Sequence, residues 1–297
     1  MKQLFFAFFS LLSLAAHADL KVFATVPEWG ALAREIGGKH ADVFTATGGL
    51  QDPHRIEARP SLIARARNAD LVVATGADLE IAWLPVILRN SGNPRIQPGQ
   101  AGNFEAAHTV RILEVPVWLD RAEGDVHAAG NPHIQSDPRN ILKVGEALTA
   151  RMAQLDAANA AGYQANFKEF AGRWQAAITK WETAAAPLRG IHVVTQHKAF
   201  PYLYDWLGII EVATLEPKPG VEPAVSYLSQ VMQDTAAKKP RMVIRAAWNS
   251  PQPTAWFSEH ARIPAVVLPS TIGGSDQAKD LFGLFDDTLA QLLKPSR

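Results

Sequence analysis

The chain has 297 residues, with 29 basic and 29 acidic side chains, no net formal charge and no cysteine. Balanced charge without a lysine-arginine block excludes nucleic acid as an expected partner. The lack of thiols leaves stability to core packing and restricts any metal site to nitrogen and oxygen donors.

The first eighteen residues read as a cleavable signal peptide. Lys2 is followed by an apolar run over 4–16, then Ala16-His17-Ala18 places small residues where a signal peptidase cuts. That run is too short to anchor in a bilayer, and no cysteine follows it, so a soluble chain starting at Asp19 is expected. Removing the 18 leader residues from 297 leaves 279, too many for one typical core and enough for two lobes.

The first half alternates strands and helices. Strands are predicted over 20–25, 42–47, 70–75 and 110–113, and helices over 28–36, 60–68 and 79–89. Residues 48–59 form a polar loop, and 121–137 read as a second loop with glycines, a proline and two histidines. This rhythm implies a parallel sheet with helices on both faces. Asp137-Pro138 then has the form of an N-cap followed by proline at the first helical position, opening a helix that breaks near 155–156. Over 158–186, Tyr163, Phe167, Phe170, Trp174, Ile178 and Trp181 recur at helical spacing, so one long helix is expected, stopped by Pro187 and Gly190. The second half repeats the rhythm, with strands at 191–195, 209–215, 242–246 and 265–268 and helices at 200–206, 223–235, 253–260 and 277–293. The expected organisation is a first α/β lobe over 19–137, a helical segment over 138–189 that links the lobes, and a second α/β lobe over 190–297. A long linking helix resists large hinge motion, and any ligand belongs in the cleft at the carboxyl ends of the strands.

Nine histidines occur. His17 falls in the leader, His40 and His108 lie in polar connections, and His192 and His260 suit structural roles in a strand and at a helix end. Four lie on loops around the expected cleft: His54 in Gln51-Asp52-Pro53-His54, His127, His133 in Gly130-Asn131-Pro132-His133, and His197 in Thr195-Gln196-His197-Lys198. Two of these turns are stiffened by proline, which aims an imidazole at low entropic cost. Preorganised neutral imidazoles are what a buried metal requires. Asp276, the first carboxylate after Gly273-Gly274, reads equally as a fourth ligand or as a helix N-cap with Ser275. Glu216 and Asp205 are weaker candidates. Trp83, Trp174, Trp181 and Trp206 sit at apolar helical positions and are expected in the core.

Three blocks resemble the zinc- and manganese-binding proteins of ABC importers, and the likeness runs through nearly the whole chain after residue 18. The first is Asp52-Pro53-His54-Arg55-Ile56-Glu57-Ala58-Arg59-Pro60-Ser61, continuing through Asn68-Ala69-Asp70 to Glu80 and Trp83. The second is Gly130-Asn131-Pro132-His133 with Asp137-Pro138. The third is Gln196-His197-Lys198-Ala199-Phe200-Pro201 with Glu216-Pro217-Lys218-Pro219-Gly220. The resemblance implies His54, His133 and His197 as metal ligands, and an acidic fourth ligand after the last strand. The chain departs there, with Thr271-Ile272-Gly273-Gly274 where many members have aspartate, so Asp276 stands in by position and a site completed by water is the alternative. It departs again at Ile134-Gln135-Ser136, where the usual form is an aromatic-leucine pair. The histidine- and acid-rich loop of many zinc-binding members is short here, over 123–130, and leaves His127 as an auxiliary contact.

Three imidazoles with one carboxylate or water suit zinc, whereas manganese members exchange one histidine for a second carboxylate. The expectation is a monomeric periplasmic zinc-capture protein, not an enzyme. It would deliver to the membrane permease of an ABC importer, with a periplasmic metallochaperone as a further partner. A secreted zinc hydrolase is the first alternative, although no His-Glu-x-x-His helix is present. A binding protein for haem or cobalamin on the same fold is the second.

Overall fold

The computed structural model describes residues 19–116 and 127–296. The expected leader and the acidic part of the short loop, Glu123 and Asp125, lie outside the described residues. The first lobe is built from β1 (Leu20–Ala24), α1 (Pro27–Gly37), β2 (Ala41–Thr45), α2 (Pro60–Arg67), β3 (Leu71–Ala74), α3 (Leu84–Ser91) and β4 (Asn103–Glu105). Its strands lie in the order β2-β1-β3-β4, all parallel. Every residue of β3 is buried, the pattern of a strand covered by helices on both faces.

After α4 (Pro138–Leu155) and α5 (Ala160–Ala185), the second lobe runs through β5 (His192–Thr195), α6 (Pro201–Leu207), β6 (Ile210–Thr214), α7 (Val225–Thr235), β7 (Met242–Ala246), α8 (Gln252–Ala261), β8 (Ala265–Leu268) and α9 (Leu281–Leu293). Its strand order, β6-β5-β7-β8, repeats the first sheet's pattern with all strands parallel. Both sheets therefore point the carboxyl ends of their strands at loops that carry histidines.

The spine between the lobes is α5, about 39 Å long at ~1.5 Å per residue. Its aromatic stripe, Tyr163, Phe170, Trp174 and Trp181, is buried. Trp174 packs edge-on against Phe282 and Phe285 of α9, while its indole nitrogen donates to the Pro138 carbonyl at the start of α4. One helix thus shares its apolar face with elements of both lobes, and the four tryptophans expected in the core are all buried. The lobes also meet backbone to backbone. A Cβ placed on Gly49 would come within 2.1 Å of the Gly273 carbonyl carbon.

Three elements differ from expectation. The fourth strand is Asn103–Glu105, not 110–113: Val72 pairs with Asn103, and Ala106–Thr109 turns as a short 3-10 helix. The 110–113 segment crosses to the second lobe instead, where the Leu113 amide donates to the Tyr202 hydroxyl. Helix α3 starts at Leu84 rather than 79, because Glu80 turns inward and accepts from Thr75 and Gly76 amides and the Thr25 hydroxyl. Helix α9 starts at Leu281 rather than 277. Asp280 caps it by accepting from the Gly283 amide, while Ser275 closes a separate turn with Ala278.

Candidate metal centre

His54 leaves β2 through a turn closed by its own neighbour. Asp52 accepts from the His54 amide at 3.0 Å and bonds the ring Nδ1 at 2.7 Å. The Trp83 indole holds the turn from behind by donating to the Pro53 carbonyl. His133 follows Gly130, whose φ of +101° and tight approach to Ile112 and Leu113 leave no room for a side chain. Asn131 then accepts from the His133 amide and donates to the Lys198 carbonyl, tying this turn to the residue beside His197. His197 follows β5 directly, and its Nδ1 meets Glu216 at 2.8 Å.

These elements bring the three histidines together. They are 8%, 3% and 7% exposed, and one ligand nitrogen from each lies within 4.8 Å of the others. Their ring centroids form a nearly equilateral triangle with sides of 5.2, 5.6 and 5.6 Å. Bonds of about 2 Å from nitrogen to a shared ion, with each centroid about 1 Å behind its nitrogen, call for a triangle with sides of about 5 to 5.5 Å. The apex nitrogens are prepared as well: Nε2 of His54 and of His133 are buried and make no hydrogen bond to protein. Carboxylates on Nδ1 of His54 and His197 fix the tautomer that turns the Nε2 lone pair inward.

The electrostatics agree with that tautomer. Burial pushes the Asp52 carboxyl up, but the hydrogen bonds from the ring and amide of His54 oppose it, and Asp52 lies below its ordinary value. Burial, then the neighbouring His54, His197 and His127, push the His133 imidazole well below its ordinary value, so it stays neutral with a lone pair to offer.

His127 stacks on His54 with centroids 5.1 Å apart and planes at 26°, at the edge of the triangle and outside the 4.8 Å group. Asp276 does not join. It is exposed on the turn before α9, because the helix begins four residues later than expected and Ser275, bonded to Asp287, holds that turn away. Asp205 faces Arg111 and Arg139 at 3.7 and 3.8 Å, and Glu216 serves Nδ1 of His197. Among the described residues, no Asp or Glu enters the 4.8 Å group. His192 and His260 bond backbone carbonyls of Lys238 and Trp256.

Two contributors escaped the sequence reading. Asp52 lies inside Gln51-Asp52-Pro53-His54, and its spacing two residues before a loop histidine is the available signal. Trp248 was signalled only by its place after β7; its indole lies 5.3 Å from the His197 ring and 6.2 Å from the His54 ring.

The family described as the periplasmic zinc-uptake complex component A (ZnuA) matches residues 22–294. Among curated proteins, the zinc-binding lipoprotein AdcA of Streptococcus pneumoniae is 21% identical over 222 residues, 73% of this chain and 43% of that protein. The chain thus spans less than half of that relative's length. The manganese ABC transporter substrate-binding lipoprotein PsaA of Streptococcus mitis is 21% identical over 274 residues, 90% of this chain and 84% of its own. Among solved structures, the solute-binding protein FpvC of Pseudomonas aeruginosa in complex with Ni2+ superposes with a TM-score of 0.77. That pair shares 21% identity, covering 93% of this chain and 96% of that one.

Proposed function

Because this chain belongs to the ZnuA family of periplasmic metal-binding components of ABC importers, a family of solute-binding proteins rather than enzymes, we propose that its own cargo is zinc, held by His54, His133 and His197. The observation that carries this reading is the triangle of buried imidazoles spaced for one shared ion. Three nitrogen donors without a carboxylate suit zinc better than manganese, which favours oxygen-rich, higher coordination. The net positive charge of a zinc ion is answered one layer out, by Asp52 and Glu216 on the Nδ1 atoms.

In this reading water takes the fourth position, and His127 at the rim is the first contact for an arriving ion or for a periplasmic metallochaperone. The division into 19–137, 138–189 and 190–297 places His54 and His133 on one lobe and His197 on the other, so cargo sits across the boundary. A monomer, exported by removal of residues 1–18, would then deliver to the membrane permease. The test is zinc titration of the purified chain with single alanine variants of His54, His133, His197 and Asp276. One tight zinc per chain, weakened by each histidine change and indifferent to Asp276, is expected. Binding that ignores the histidines would refute the assignment.

A further inference from the structure

We propose that Trp248 is a specificity-determining residue that closes one open side of the tri-histidine site and holds the coordination number low. The proposal rests on the zinc-site reading above and extends it to how the site discriminates between metals.

The indole meets two of the three imidazoles, His197 at 66° and His54 at 60°, so it stands edge-to-face beside rings from both lobes. It is held there by a frame of hydrogen bonds. Arg245 donates from one guanidinium nitrogen to the carbonyls of Ala246, Ala247 and Asn249, at 3.1, 3.4 and 3.2 Å. The Asn249 side chain accepts from the Ala246 amide and closes the turn, while the Ala247 amide donates to Leu268 on the neighbouring strand. Gln196, adjacent to His197, donates to the Ser250 carbonyl at 3.0 Å and accepts from the Thr254 hydroxyl. One frame therefore sets the backbone on which both His197 and Trp248 stand, and the contacts with the two imidazoles are what position the indole itself.

The chemical consequence follows from the donor set. A zinc ion is satisfied by three imidazoles and one water in a tetrahedral shell, while manganese and nickel gain from further oxygen ligands in larger shells. With no carboxylate in the group among the described residues, those further ligands are waters in this reading. An indole packed against two ligand rings fills space such waters would need and offers them no acceptor, since its only polar group is an N–H donor. The penalty falls on higher-coordinate ions and spares zinc.

The test compares Trp248→Ala and Trp248→Phe with the unaltered chain, measuring zinc and manganese affinities by chelator competition and the visible absorption of bound Co2+. A four-coordinate cobalt site absorbs strongly and a six-coordinate one weakly. Trp248→Ala is expected to lower the zinc-to-manganese affinity ratio about tenfold or more, the scale of changes just outside a metal's ligands. It should also weaken the cobalt band, while Trp248→Phe keeps both near the original. If the alanine variant folds poorly, Trp248→Val is read in the same way, since it also vacates most of the indole volume. An unchanged ratio and an unchanged cobalt spectrum in the folded small-residue variant would overturn the proposal. The alanine variants of His54, His133 and His197 in the same assay separate the two readings. Zinc affinity indifferent to all three histidines would mean the site itself is wrong, whereas histidine-dependent affinity with a ratio blind to Trp248 removes only this inference.

Discussion

Glu28, on the first turn of α1, has no exposed surface, and neither carboxyl oxygen makes a hydrogen bond of ordinary geometry. Burial raises its carboxyl from 4.5 to about 7, only partly opposed by the nearby Thr271 hydroxyl from the other lobe and by its own backbone. Replacing it with glutamine keeps shape and polarity and removes the titration. The unfolded chain gives up this proton near the ordinary value, and the folded chain holds it until about pH 7. Stability from the retained proton is therefore complete below pH 4.5 and is lost as pH rises through the folded value. A gap of about 2.5 units at ~1.4 kcal/mol each makes the full loss about 3 kcal/mol, an upper figure for a buried group. The assay is urea unfolding of wild type and Glu28→Gln at pH 5, 6, 7 and 8, with chelator present so that metal binding contributes nothing. Histidine titration is common to both proteins and cancels in the difference. The stability of the glutamine variant relative to wild type should climb by about 2–3 kcal/mol between pH 5 and 8. Parallel curves would refute the reasoning and mean that the carboxyl finds a partner or solvent.

Removing the carboxylates behind the ligands should act on the metal and not the fold: Asp52→Ala and Glu216→Ala are each expected to weaken zinc about 10- to 100-fold in chelator competition, with far-UV circular dichroism unchanged. Because bound imidazoles must be neutral, zinc should leave as pH falls, and full retention well below about pH 5 would count against an all-imidazole site. Gly49→Ala forces a methyl into the Gly273 backbone and should cost about 1–3 kcal/mol in thermal or urea unfolding, more than an alanine at Gly172, which has open space. Since α5 shares its buried face with both lobes, scattering profiles with and without zinc should superpose, with altered hydrogen exchange confined to the loops around His197 and 269–276. A change in radius of gyration would refute the rigid spine.

What could be read along the chain was whatever depends on near neighbours. The buried run of β3 announces itself because a strand covered on both faces needs continuous apolar residues, and the stripe on α5 because a helix repeats every 3.6 residues. His54 and His133 were legible for the same reason, each in a proline turn whose direction is set within four residues. Tertiary structure decided what depends on distant partners. Glu216 reaches His197 only because β6 lies beside β5, and Trp248 arrives on the turn after β7, on the other side of β5. Ser275, Asp276 and Asp280 all have cap chemistry, and the Ser275–Asp287 bond, made across twelve residues, is part of what leaves Asp280 to start α9 and Asp276 in solvent. The three-residue strand β4 carries no periodic signal, since a strand that short exists only through its pairing with β3. Residue types and turn chemistry thus name the imidazoles in advance, while strand order within the second sheet determines that Glu216 stands behind His197 and Trp248 beside it.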